Sequence, residues 1–283
     1  IKSVKKNIKM KHVIVENFNL ENNKKYFNEF SVNTPFKHFV IDNILDKDAA
    51  NNILVDFKIN NKWTNLSLVN NYRKLLLNDR KLMSVTCNEI IEELGSKEFT
   101  EKLTECTGLK NIFLDKELVG GGLQQSLNGG SLNMHTDFTS HITKKNWRRV
   151  LNLIIYFNKN WLNTYNGNLE FWDAKVEKKV KSYSPIFNRC VIFKTDEKSF
   201  HGFPDTLNLP PNVSRKSFAV YYYILEDKPI KLYPSTFTAR PGDKLYYKFL
   251  MGVDSFLNKI FSFLKRYKIV NDKFASKILD LFK

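Results

Sequence analysis

Three short stretches of the sequence carry side chains that could do metal chemistry. Residues 130 to 138 read GSLNMHTDF, which puts His135 two residues before Asp137. On an extended strand, residues i and i+2 project from the same face. An imidazole and a carboxylate would therefore stand together, with Thr136 turned away. That is two-thirds of a 2-His-1-carboxylate set, the arrangement that leaves coordination positions open in non-haem Fe(II) oxygenases. Five histidines in the chain leave few candidates for a third ligand. His12 and His38 lie before the strand-rich region, and His141 falls in the polar loop FTSHITKKNW, where a surface position is expected. His201, in SFHGF, comes soon after the apolar run CVIFK and begins another strand, where a barrel wall would hold a ligand opposite the first pair.

The third stretch is SRKSF, where Arg215 and Ser217 share a face at the start of an apolar strand. A guanidinium pointing into an apolar barrel is costly unless a carboxylate meets it. Its planar fork can grip a carboxylate through two hydrogen bonds, and the Ser217 hydroxyl can donate another. Asn152, Tyr156, Trp172, Gln124 and Gln125 lie on neighbouring strands, as wall or as pocket lining. Gly129 and Gly130 are expected to form the turn before the metal strand.

The elements that must position these groups come in a definite order. TPFKHFVIDNIL (34 to 45) alternates as a strand, and Asp46 is placed to cap a helix over 47 to 57. Between Asp79 and Thr107 the residues Leu82, Val85, Ile90, Ile91 and Leu94 recur at helical spacing, with Gly95 and Gly108 as stops, which predicts two helices. From Gly108 to Phe138, short runs punctuated by glycine pairs predict hairpins. Strands follow at 148 to 158, 166 to 173, 190 to 194 and 214 to 226, rich in aromatic and β-branched residues. Helices followed by about eight strands predict an α+β fold: a double-stranded β-helix (jelly-roll or cupin-like) core, a packed N-terminal helical layer and a C-terminal helical extension. The expected organisation is a basic arm over 1–33, a catalytic domain over 34–226 and a basic, helical extension over 227–283.

The formal net charge is +16. It allows a polyanionic partner or only a lysine-rich solvated surface. Cys/His finger spacing and RNA-binding aromatic motifs are both missing from the sequence, which argues against nucleic acid. Cys87, Cys106 and Cys190 are scattered, fitting a reducing compartment. No run approaches about 18 uninterrupted apolar residues, and IKSVKKNIKM lacks the apolar core of a signal peptide; a cytoplasmic location is expected. In DSFLNKIFSFLKRYKIV, Phe256, Ile260, Phe263 and Leu264 form one stripe with lysines opposite. The stripe suits packing on the chain's own domain or peripheral contact with a membrane.

The order HTD … HGF … RKS resembles the Fe(II)/2-oxoglutarate-dependent dioxygenases, in particular their prolyl 4-hydroxylase-like branch. RRVLNLIIYFNKNWLNTYNGNLEFWD looks like the strand–turn–strand that follows the first motif, and TPFKHFVIDNILDKDAANNIL like the branch's opening strand and helix, so the resemblance spans roughly 34 to 226. It implies that His135, Asp137 and His201 are the catalytic iron ligands, and that Arg215, helped by Ser217, binds the distal carboxylate of 2-oxoglutarate. The branch often has Lys where Arg215 stands. It further implies O2 as co-substrate, release of succinate and CO2, ascorbate as an accessory reductant, and hydroxylation of an aliphatic C–H on a peptide side chain, an amino acid or a small metabolite. Halogenating relatives replace the carboxylate by a small residue, so Asp137 favours hydroxylation. The nucleic-acid demethylases of the superfamily carry a second Arg six residues after the anchor, where this chain has Tyr221. A catalytically inactive jelly-roll binding module is the reading from another class, and the intact four-residue set argues against it. The loops 138–147 and 195–212 and the segment after 226 are expected to choose the substrate.

Overall fold

The structure, a computed structural model, describes residues 13–14, 20–58, 60, 62–66, 70–231, 233–267 and 269. Residues 1–12 of the expected basic arm, His12 among them, and 270–283 of the expected extension lie outside the described residues.

The helical layer forms where local signals concentrate. Within the expected arm, α1 (Leu20–Val32) packs on β1 (His38–Asp42). Asp46 accepts from the amides of Asp48 and Ala49, capping α2 (Lys47–Asn52), which tightens into a 3-10 turn over Ile53–Phe57. The short strand β2 (Thr64–Asn65) and β3 (Asn71–Leu77) then form a hairpin. Ser84 and Ser96 cap α3 (Val85–Leu94) and α4 (Lys97–Thr107). Gly95 ends α3, and Gly108, at φ +71°, gives α4 the left-handed cap that only glycine adopts cheaply.

The strand region contains β4 (Phe113–Leu114), β5 (Gly122–Thr136), β6 (Trp147–Tyr156), β7 (Leu169–Trp172), β8 (Lys179–Tyr183), β9 (Arg189–Lys194), β10 (His201–Phe203), β11 (Arg215–Leu225) and β12 (Thr236–Phe237). Their main path runs β1-β9-β6-β11-β5-β10-β7-β8, every pairing antiparallel. This curled antiparallel sheet with flanking helices is the expected jelly-roll-type α+β fold.

One expectation needs correction here. Gly129 and Gly130 do not separate two hairpin strands; they sit inside the continuous β5. Residues 122–126 of β5 pair with β11, whereas 132–135 pair with β10, so the strand passes from one half of the curled sheet to the other. Gly129 has φ +79°, and a Cβ on Gly130 would come within 2.9 Å of the carbonyl oxygens of Leu127 and Tyr72. A strand corner needs that freedom as much as a turn does.

Strand alternation divides the sheet. Leu151, Leu153 and Ile155 of β6, with Phe218, Val220 and Tyr222 of β11, join Ile90, Leu94 and Leu103 in the main apolar core. Asn152, Ile154 and Tyr156, with Ser217, Ala219 and Tyr221, face the other way and line a cavity. Period-two alternation thus builds the core and the pocket wall from the same strands.

After Leu225 the chain returns across the pocket. β12 pairs with the end of β5, Phe237 opposite His135, and α5 (Leu245–Arg266) follows. No helix among the described residues is long and apolar enough to cross a membrane.

Candidate active site

β5 ends by presenting His135 and then Asp137 to a cavity of about 220 Å³. β10 supplies His201, which sits directly across the ladder from His135. The expectation placed His201 on an opposite wall; instead it is a cross-strand neighbour, with ring centroids 4.4 Å apart. Each of the three residues offers a ligand atom, and these atoms lie within 4.8 Å of one another.

The local hydrogen bonds prepare the imidazoles for a metal. His135 Nδ1 lies 2.9 Å from the Asn133 carbonyl oxygen, and His201 Nδ1 lies 2.9 Å from that of Ser199. A carbonyl only accepts, so each Nδ1 carries the proton and each Nε2 keeps its lone pair. Those lone pairs face the carboxylate: His135 Nε2 is 3.6 Å from Asp137 Oδ1, and His201 Nε2 is 3.4 Å from Oδ2. Burial, reinforced by the neighbouring His135, pushes His201 down to about 4, so its ring is neutral at pH 7. Burial opposes ionisation of Asp137, but the Arg149 guanidinium and the two imidazoles prevail and hold it well below the usual carboxylate range. Two imidazole nitrogens and one carboxylate oxygen suit a divalent transition metal with open positions.

Arg149 is a site residue that the sequence reading missed. Its Nη2 donates to Asp137 Oδ2 at 2.7 Å, and Asn152 Nδ2 donates to the same oxygen at 2.9 Å. The guanidinium is buried between the rings of Phe138 and Tyr221, 4.6 and 3.3 Å from their centroids.

Arg215 and Ser217 line the same cavity. Arg215 Nε donates to the Gly167 carbonyl oxygen at 2.7 Å, and Nη2 reaches the Tyr156 hydroxyl at 3.5 Å. The guanidinium lies 4.1 Å from the Phe203 ring centroid. Among the described residues no carboxylate pairs with it. A buried cation without its anion is the feature that fits an incoming carboxylate. Lys74 of β3 enters the same space, its ammonium pushed down to about 8 by burial.

The other candidates divide. Asn152, Tyr156 and Gln124 line the cavity, whereas Trp172 and Gln125 do not; Gln125 accepts a hydrogen bond from Ser214. His141 contradicts the surface expectation. It is fully buried, accepts from the amides of Thr143 and Lys144, and has Nε2 3.6 Å from Asp115 Oδ2. His38 is buried too, tied to the Phe36 carbonyl and the Tyr183 hydroxyl. The segment after 226 does reach the pocket: Ser235, Phe237 and Ser262 line it, and the Phe237 ring stacks 5.1 Å from His135.

A family model of the 2OG-Fe(II) oxygenase superfamily matches residues 121–223, the segment that holds all five predicted residues. Among solved structures the chain is similar to a prolyl hydroxylase from Trichoplax adhaerens in complex with a hypoxia-inducible-factor peptide. The identity is 18%, over 72% of this chain and 91% of that one, with a TM-score of 0.51. It is also similar to a Pseudomonas putida prolyl-4-hydroxylase, at 10% identity over 70% of this chain and 98% of the other, again with a TM-score of 0.51. At these identities the likeness speaks to the fold. No curated protein sequence matches the chain.

Proposed function

We propose that this chain, whose residues 121–223 belong to the 2OG-Fe(II) oxygenase superfamily, is a dioxygenase that hydroxylates an aliphatic C–H of a peptide side chain, an amino acid or a small metabolite. One observation carries the reading: a His-Asp-His cluster and an unpaired buried guanidinium open into one cavity. In this reading His135, Asp137 and His201 hold Fe(II), and Arg215, with Ser217, takes the distal carboxylate of 2-oxoglutarate. Bound iron supplies the activation of O2, coupled to decarboxylation of 2-oxoglutarate to succinate and CO2.

The chain's own groups do the positioning. The Asn133 and Ser199 carbonyls fix both imidazole tautomers. Arg149 and Asn152 hold one oxygen of Asp137, and the Arg149 charge helps keep the group ionised. Phe237 covers His135, and Phe193 lies 4.7 Å from the His201 ring, so apolar surface limits water at the cluster. The prolyl hydroxylases among the structural neighbours make proline-containing peptides and free amino acids the first substrates to try.

The test is succinate release from 2-oxoglutarate with Fe(II) and ascorbate across a peptide and metabolite panel, beside anaerobic metal titration. The native chain should bind one Fe(II) and release succinate in a substrate-stimulated manner, and His135→Ala should lose both. Full iron binding and turnover in that variant would remove the assignment. Arg215→Ala should weaken 2-oxoglutarate binding by about 3–5 kcal/mol if it meets that carboxylate; an unchanged affinity would move the anchor elsewhere.

A further inference from the structure

On a globular protein an amphipathic helix normally turns its apolar side inward. α5 does the reverse. Beside Met251, its buried residues among those described are the polar Asp254, Ser255 and Arg266. Hydrogen bonds hold that side against the domain: Asp254 accepts from the amide of Asn70 at 3.3 Å and from its side-chain amide, and Asn133 Nδ2 donates to the Tyr247 hydroxyl at 3.2 Å. Arg266 donates to Ser140 Oγ at 3.2 Å and to the Ile230 carbonyl at 2.7 Å. Meanwhile Phe249, Val253, Phe256, Leu257, Ile260 and Phe263 are 42 to 71% exposed. At about 100° per residue they form one contiguous arc of roughly 120°. So continuous an apolar face on a soluble domain marks a contact surface.

We propose that this face of α5 docks on an anionic lipid membrane, the helix lying along the surface with its apolar side in the interfacial layer. This is independent of the oxygenase reading. Three observations favour lipid over other occupants. The helix is 22 residues long, which is roughly 33 Å, yet it is not apolar enough to span a bilayer. Its surroundings are cationic: Lys244 and Lys259 are exposed, Lys145 lies 4.9 Å from the ring of Tyr267 just beyond the helix end, and the one acid of α5, Asp254, is buried. That pattern complements phosphatidylserine headgroups. Finally, a second copy would favour a narrow two-residue seam, whereas exposed Tyr246, Leu250 and Leu257 widen this arc beyond the edge on which the three phenylalanines align.

The experiment uses the full chain and vesicles of phosphatidylcholine with or without about 30 mol % phosphatidylserine. Flotation should show binding to the mixed vesicles at least about tenfold above that to the neutral ones, falling as salt rises. The double variant Phe256→Glu/Ile260→Glu should lose about tenfold or more of this binding. Because both side chains face solvent, its circular dichroism and thermal midpoint should stay unchanged. Lys244→Glu/Lys259→Glu should reduce binding to the mixed vesicles only. The proposal is overturned if the native chain ignores both vesicle types, or if the apolar-face variant binds as well as the native chain. It is equally overturned if the face forms a dimer in sedimentation that the same variant dissolves while vesicles recruit no protein.

Discussion

Asp137 is where the charges of the site meet, and Arg149 is the permanent cation among the groups that keep it ionised. With Arg149→Met, Asp137 keeps Asn152 and loses its cation. We expect divalent-metal affinity, measured by calorimetry with Mn(II), to fall about 10–100-fold; an affinity within twofold of native would show that Arg149 only fills space. Arg149 was hard to foresee because alternation along β6 puts it in phase with Leu151 and Leu153, on the core side. A register shift intervenes: Tyr222 pairs with Leu151 and Tyr223 with Arg149, leaving Val150 as the extra residue. A bulge of this kind re-aims every side chain beyond it. Lys74 permits a prediction with a defined sign. Its folded value of about 8 lies below the ordinary 10.5, so the unfolded chain binds more protons between those values and stability rises with pH across that window. Lys74→Met should flatten the rise and stabilise the metal-free protein at pH 7 by about 1–3 kcal/mol in urea unfolding. A loss of stability at pH 7 would mean that the ammonium is better solvated than its burial suggests.

At the scale of elements, the critical joint is the antiparallel pairing of β10 with β5. A Cβ on Gly202 would stand 2.7 Å from the Leu132 carbonyl oxygen and 2.8 Å from that of Asn133, both backbone atoms of the ligand strand. Gly202→Ala must therefore push the strands apart, and His201 with them. The folded variant should bind metal at least about tenfold more weakly, with near-native circular dichroism; native affinity would show that the ladder absorbs the strain elsewhere. Local signals made much of this level legible in advance. Asp46, Gly95 and Gly108 act on their own backbone neighbours, and strands such as Arg189–Lys194 and Arg215–Leu225 declare themselves by composition. The motif order HTD, HGF, RKS also singled out the residues that share the cavity. What escaped was long-range. The bend at Gly129–Gly130 takes its meaning from the different partners of the two halves of β5, and the burial of His141 owes as much to distant Asp115 and Tyr223 as to nearby Trp147.

For the molecule as a whole, burial fixes the state of the thiols. Cys87, Cys106 and Cys190 are all free and buried, and burial pushes each thiol up, Cys106 to about 12. A thiolate is the reactive form, so the native protein should give essentially no reaction with Ellman's reagent and the urea-unfolded chain should give three equivalents. Rapid labelling of the native chain would show a breathing core. The placement of Phe237 and Ser262 has a broader consequence. The His-Asp-His cluster and Arg215 lie within the segment that the family model matches, whereas Phe237 and Ser262 reach the same cavity from residues after that segment ends. In the proposed reading, exchanging the terminal appendage alone would change what part of the cavity wall offers to a substrate while leaving His135, Asp137, His201 and Arg215 in place.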